Sequence, residues 1–200
     1  MATENTAASD AMARPDRNQA ENVQPLFGER EIAARVEAIA ASIAADFADP
    51  FLIVIALKGA FVFAADLVRA LSRHGRHPEI SFLRLSSYAD STRSSGDVRV
   101  VGDAPQDLTG QRVLILDDIL DTGRTLQRAR TILAGAGAAE VRLCVLLDKP
   151  ARREVDVTAD YVGFSIDDVF VVGYGLDYAE RFRTLPYIGA LAAKAKTEPD

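Results

Sequence analysis

Cysteine is all but missing from this chain. Cys144 stands alone, which excludes an internal disulfide and any zinc site built on several cysteines. Histidine is almost as scarce, and His74 and His77 are too few for a His-rich metal cage. No apolar run approaches the roughly 20 residues that a membrane helix needs, so a soluble protein with no membrane partner is expected. Positive charge is in deficit as well. Lys and Arg number 23 against 29 Asp and Glu, a formal net charge of −6. That balance disfavours non-specific binding to a nucleic-acid backbone, and no nucleic-acid partner is expected. Residues 1–24 lack a basic start and an apolar core, and they carry Glu4, Asp10, Asp16 and Glu21, which fits neither a signal peptide nor a transit peptide. They are poor in large apolar side chains too, so they are expected to form a disordered tail on a cytoplasmic protein. Residues 25–200 show no repeat and no linker, and their length suits one domain.

Within that domain, two periodicities alternate. Ile32, Val36, Ile39, Ile43 and Phe47 fall at steps of three and four, the apolar stripe of an amphipathic helix. After Pro50, residues 51–57 are a continuous apolar run that reads as a strand buried on both faces. A helix over about 61–72, a strand over 80–85 and β character at 98–101 follow. A third buried strand spans 113–116, then come a helix over about 125–133 stopped by Gly135 and Gly137, and a strand over 141–147. Short β segments are expected at 161–164 and 169–172. This alternation predicts an α/β fold with a mostly parallel central sheet flanked by helices. Ligands of such sheets bind beyond the carboxyl ends of the strands, which directs attention to the residues after 57, 85, 116 and 147.

After the third strand comes Asp117-Asp118-Ile119-Leu120-Asp121-Thr122-Gly123-Arg124-Thr125. Three carboxylates within five residues repel one another unless cations or hydroxyl donors share them. The glycine and hydroxyls that follow open a helix, where free N–H groups and the helix dipole suit a phosphate. The combination points to a ligand with hydroxyls, phosphate and Mg2+. The plainer alternative is a charged loop capped by Asp121 or Thr122. Other phosphate motifs fit worse: no Walker loop occurs, and Gly173-Tyr-Gly175 has two of the three glycines of a dinucleotide fingerprint, with no crossover helix after it.

The run Val113-Leu-Ile-Leu-Asp-Asp-Ile-Leu-Asp-Thr-Gly-Arg-Thr-Leu126 resembles the phosphoribosyl-pyrophosphate (PRPP) motif of type I phosphoribosyltransferases. With Leu57-Lys-Gly59, Ser86-Ser-Tyr88, Leu147-Asp-Lys-Pro150, and Val169-Phe-Val-Val-Gly-Tyr-Gly-Leu-Asp-Tyr178 followed by Arg183, the chain is similar over residues 27–190 to the hypoxanthine(-guanine) branch of that family. The resemblance implies a central parallel sheet with a small hood built from N- and C-terminal segments. It implies purine salvage, in which a 6-oxopurine displaces pyrophosphate from C1 of PRPP through an oxocarbenium-like transition state, with Mg2+ as cofactor and a homodimer or homotetramer as the assembly.

The resemblance also implies roles. Asp117 and Asp118 match the acidic pair that holds the ribose hydroxyls and Mg2+; the family usually has Glu-Asp there, so Asp117 is one methylene shorter. Asp121 matches the acid/base near purine N7, and N-capping is its structural alternative. Thr122, Gly123, Arg124 and Thr125 match the 5′-phosphate cradle. Lys149 matches the donor to the 6-oxo group; a solvated turn lysine is the alternative. Phe170 matches the aromatic that stacks on the base, with an ordinary core aromatic as its alternative, and Val171 matches the neighbour at the pyrimidine edge. Asp177 matches a second Mg2+ contact, and Arg183 a pyrophosphate contact. Lys58 and Gly59 match the pyrophosphate loop, where the bond entering the lysine can be cis. Ser87 and Tyr88 match the start of a mobile lid, with a low-complexity surface loop as the alternative. Arg152 and Arg153, with His74 and His77, read as solvated surface, and Cys144 as a small buried residue. Two other classes compete. An RNA-binding regulator of this fold would need a basic face. A phosphoacceptor receiver domain would leave the Thr-Gly-x-Thr cradle unexplained.

Overall fold

A computed structural model describes residues 23–48, 50–87, 98–101 and 105–192. Its centre is a six-stranded sheet. Strands β2 (Leu52–Leu57), β3 (Glu79–Ser87), β5 (Arg112–Leu120), β6 (Glu140–Asp148) and β7 (Tyr161–Ser165) run parallel in the order β3-β2-β5-β6-β7, and β4 (Val98–Val100) adds antiparallel to β3 at one edge. Helices α1 (Glu29–Asp46) and α2 (Phe61–Arg73) cover one face, and α3 (Arg124–Gly135) covers the other.

Alternation along the central strands explains the two layers. Ile53, Ile55, Leu114 and Leu116 pack with Ile32, Ile43, Phe63 and Leu67 under α1 and α2, whereas Val54, Ile115 and Val145 pack with Leu126 and Leu133 under α3. Both faces of β2 and β5 are thereby buried, which is why these strands read as unbroken apolar runs. The stripe from Ile32 to Ile43 is buried as its spacing predicts. Phe47 closes α1 beneath the guanidinium groups of Arg112 and Arg142, which lie 4.4 and 5.0 Å from its ring centre. Cys144 is buried in β6.

A second, three-stranded antiparallel sheet joins the ends of the domain. Strand β9 (Ile188–Leu191) lies between β1 (Val23–Phe27) and β8 (Val171–Val172). The hood is therefore built from N- and C-terminal segments. Residues 1–22 of the expected tail lie outside the described residues, while Val23 and Gln24 belong to β1.

Three local expectations need correction. The third buried strand does not stop at Leu116. Its pairing with β6 continues through Asp117↔Val145, Ile119↔Leu147 and Leu120↔Asp148, so the acidic pair lies inside a strand rather than in the turn after it. The apolar run ends at 116, but pairing with β6 carries the strand on to Leu120. Second, the β segment at 169–172 shortens to Val171–Val172, and Val169 and Phe170 stand partly exposed beside the site. Third, Arg153 is not solvated surface: its guanidinium reaches backbone carbonyls at Leu120 and Asp121 and the Asp148 carboxylate. Removing bulk beneath the acidic pair tests the core. Leu116→Ala, at a fully buried position, is expected to lower unfolding free energy by about 2–5 kcal/mol, measured by urea denaturation.

Candidate active site

The carboxyl ends of β2 and β5 enclose a cavity of about 320 Å3 lined by Lys58, Gly59, Asp117, Asp118, Asp121, Thr122, Gly123 and Thr125. Its floor is unusually tight. A Cβ on Gly59 would lie 1.7 Å from Asp118 Oδ2, and one on Gly175, at φ +103, would lie 2.2 Å from the Gly59 carbonyl oxygen. The Lys58–Gly59 loop therefore threads between a carboxylate and another backbone, which only glycines allow. The bond entering the loop, Leu57–Lys58, is cis.

Asp117 and Lys149 are the two buried charged residues among those described, and both belong to this end of the sheet. Burial pushes the Asp117 carboxyl well above the usual carboxylate range, and the neighbouring Asp118 charge pushes the same way. Burial also raises Asp118, while hydrogen bonds and the Arg183 charge oppose the rise. The Asp118 amide donates to Asp117 Oδ1 at 2.9 Å, fixing one carboxylate against the next residue's backbone. Such a pair gains from any cation or hydroxyl donor that shares its charge.

Among the described residues no three His, Cys, Asp or Glu side chains converge as a metal cage. Two adjacent carboxylates nevertheless suit Mg2+, which usually takes one or two protein carboxylates and completes its shell with substrate oxygens and water. Asp117 and Asp118 fit that pattern. The Asp177 carboxylate lies 2.7 Å from Arg183 Nη2.

At the start of α3, Gly123 adopts φ +87, and a Cβ there would meet Val157 Cγ1 at 2.8 Å and Arg153 Cδ at 3.1 Å. This left-handed residue turns the chain into α3, whose Thr125 and Leu126 line the cavity. The Arg124 guanidinium is turned to Glu154, with its Nε 2.7 Å from that carboxylate. Asp121 Oδ1 accepts from Arg152 Nε at 3.2 Å, and its main-chain carbonyl accepts from Arg153. Neither arginine is foreshadowed by local pattern. Their one signal is position, a few residues beyond the end of a strand whose neighbour carries Asp121.

A second group lies one strand further. The Lys149 amide donates to the Leu120 carbonyl at 3.0 Å, and its Nζ donates to the Val169 carbonyl at 2.6 Å. Phe170 is 52% exposed and meets Tyr178 edge-on with centroids 5.6 Å apart, while Val171 is buried and pairs with Ala190. Arg152 Nε, 3.7 Å from Asp168, joins this group to Asp121. A third group follows β8: Arg183 donates to the Gly175 carbonyl at 2.9 Å and sits 3.2 Å from Glu180, which also binds Lys58 Nζ at 2.9 Å. Ser87 ends β3 opposite Val98, and Tyr88 lies outside the described residues. The structure thus gathers the other residues named from the sequence into three linked groups at the carboxyl end of the sheet; Ser87 belongs to none of them.

Comparison with known proteins gives this edge its class. Residues 25–179 match the phosphoribosyl transferase domain. The chain is 42% identical over 167 residues to a hypoxanthine-guanine phosphoribosyltransferase of Bacillus subtilis, covering 83% of this chain and 91% of that one. It is 43% identical over 172 residues to a hypoxanthine phosphoribosyltransferase of Haemophilus influenzae, covering 84% and 94%. A crystal structure of a hypoxanthine phosphoribosyltransferase from Staphylococcus aureus superposes with a TM-score of 0.80 at 37% identity, covering 88% and 97%. The chain belongs to the phosphoribosyltransferase family, in its hypoxanthine(-guanine) branch.

The tight floor makes a specific prediction. Gly59→Ala must displace Asp118 or the loop, and a misplacement of about 1 Å is expected to cost about 10²-fold in kcat/KM. Steady-state kinetics beside a thermal melt would check it, with activity falling far more than stability.

Proposed function

We propose that this enzyme transfers the phosphoribosyl group of PRPP to a 6-oxopurine, hypoxanthine or guanine, yielding IMP or GMP and pyrophosphate. One observation carries the choice of base: Lys149 is buried at the end of β6 with its Nζ beside the Val169 carbonyl. An ammonium has three donors and no acceptor, so two remain for an oxo group, and a 6-amino group offers no such match. Phe170, exposed beside this lysine, provides the face on which the purine stacks, and Val171 borders its pyrimidine edge.

In the reaction a purine ring nitrogen forms a bond to C1, the C1–oxygen bond to pyrophosphate breaks, and Asp121 takes the N7 proton. Arg152 fixes the Asp121 carboxylate from the side and Arg153 fixes its backbone. Asp117 and Asp118 orient the ribose hydroxyls, and their negative charge favours the positive character that develops on the sugar. When bound, Mg2+ supplies positive charge at Asp117 and Asp118 and screens the phosphates. Thr122, Gly123, Arg124 and Thr125 hold the 5′-phosphate through backbone N–H and hydroxyls, while Lys58, Gly59 and Arg183 receive the pyrophosphate. Ser87 and Tyr88 begin the lid that keeps water from the cation.

The substrates are small molecules, and no helix among the described residues is long and apolar enough to cross a membrane. A cytoplasmic location and a homodimer or homotetramer complete the reading. Purified protein is expected to make IMP and pyrophosphate from hypoxanthine and PRPP, and EDTA to abolish the reaction. No pyrophosphate with hypoxanthine, guanine or xanthine would sink the proposal. Asp121→Asn is expected to reduce kcat by about 10²–10⁴-fold while PRPP binding, followed by calorimetry, persists. Unchanged turnover would remove Asp121 from the acid/base role.

A further inference from the structure

One carboxylate, Glu180, lies against two cations. Its Oε1 is 2.9 Å from Lys58 Nζ, and its Oε2 is 3.2 Å from Arg183 Nη2. The two cations come from distant parts of the chain, one from the loop after β2 and the other from the segment before β9. Local backbone sets the carboxylate between them. Ala179 and Glu180 both take positive φ, +50 and +61, a region that non-glycine residues seldom enter. The Glu180 amide donates to Asp177 Oδ2 at 2.8 Å, and Tyr178 pairs with Arg181 across the turn.

We propose that Glu180 sets the affinity for pyrophosphate by competing with it for Lys58 and Arg183. The inference rests on the assignment of those two residues to pyrophosphate under the proposed function. A carboxylate and a diphosphate present the same kind of acceptor oxygen, and one lysine ammonium and one guanidinium cannot serve both fully. Arg183 is fixed independently by the Gly175 carbonyl and Asp177, so it keeps its place when Glu180 leaves. Lys58 is half-exposed on a flexible stem and is free to turn toward the cavity that it lines. Displaced, Glu180 remains a nearby negative charge, which also disfavours a bound diphosphate. Both effects weaken binding of PRPP and favour release of the product.

The size of the effect follows from exposure. Lys58 and Glu180 are 54% and 65% exposed, so solvent screens that pair. Arg183 is 18% exposed, but it meets the same solvent-exposed carboxylate, so each contact shifts an equilibrium by roughly 1.5- to 5-fold. Glu180→Gln keeps the shape and removes the charge. Calorimetric titration with magnesium pyrophosphate is expected to show about three- to tenfold tighter binding for E180Q than for wild type at low salt. The gain should shrink at high salt. Initial rates should show a lower KM for PRPP without a matching rise in kcat. A purely structural role in the turn predicts the opposite sign, weaker binding in E180Q, and either that result or unchanged binding overturns the proposal. Glu180→Asp, which retains the charge, is expected to bind pyrophosphate within about twofold of wild type; tightening equal to that of E180Q would also overturn it. If wild type forms IMP and binds pyrophosphate while E180Q matches it, only this inference fails. If wild type neither forms IMP nor binds pyrophosphate, the functional assignment itself fails.

Discussion

The desolvation of two adjacent carboxylates toward the end of β5, Asp117 buried and Asp118 partly buried, is the constraint around which the rest of this site is arranged. Desolvation raises both groups, so the fold must surround them with dipoles and positive charge or leave a large electrostatic cost unopposed. It does so by close packing. β5 leaves β2 at Leu116 but runs on along β6 to Leu120 instead of ending with its apolar run. The Asp118 carboxylate presses on Gly59, Gly59 presses on Gly175, and the Gly175 carbonyl receives Arg183, whose charge acts back on Asp118. That circuit joins the main sheet to the segment leading into the hood. A side chain at either glycine would open it.

The loop from β5 to α3 is held from the opposite side. Arg153 spans the Leu120 and Asp121 carbonyls and the Asp148 carboxylate, bracing the ends of two parallel strands. Gly123 lets the chain turn within van der Waals reach of that same arginine. In the proposed reaction the Asp121 carboxylate must meet a ring nitrogen with little positional error, and a backbone fixed in this way serves that need. Arg152 adds a contact to the Asp121 side chain itself. An exposed pair of this kind orients more than it stabilises.

Much of this was legible in the sequence wherever physical cause was local. Helical spacing from Ile32 to Ile43, the doubly buried run of β2 and the glycine-threonine turn after Asp121 each express their structure within a few residues. Reading fails where the cause is distant. β5 extends because it stays paired with β6 as far as Asp148, and nothing in Asp117-Asp118 reveals that. Lys149 followed by Pro150 looks like a solvated turn; burial comes from the Val169–Phe170 segment, which lies beyond β7. Arg152-Arg153 resembles ordinary surface charge, yet one of the two inserts between strand ends. Resemblance to the family supplied roles for Lys149 and Asp121 that composition and spacing could not. It did not disclose the arginines that hold Asp121.

An anionic protein that binds an anionic substrate needs its charges sorted rather than balanced. The net charge is −6, but its distribution at this sheet edge separates two tasks. Acidic groups collect on the side where, in the proposed reaction, ribose hydroxyls and a metal stand. Backbone amides at the start of α3, with Lys58 and Arg183, lie where that same proposal puts the phosphates. Hydrogen bonds from fixed amides carry no formal charge and so do not cancel the acidic field that a sugar cation needs nearby. Cations at the pyrophosphate end are then the ones most exposed to competition from neighbouring acids, and Glu180 occupies that position. Loose pairing there is compatible with turnover, because the leaving group must be captured and then released.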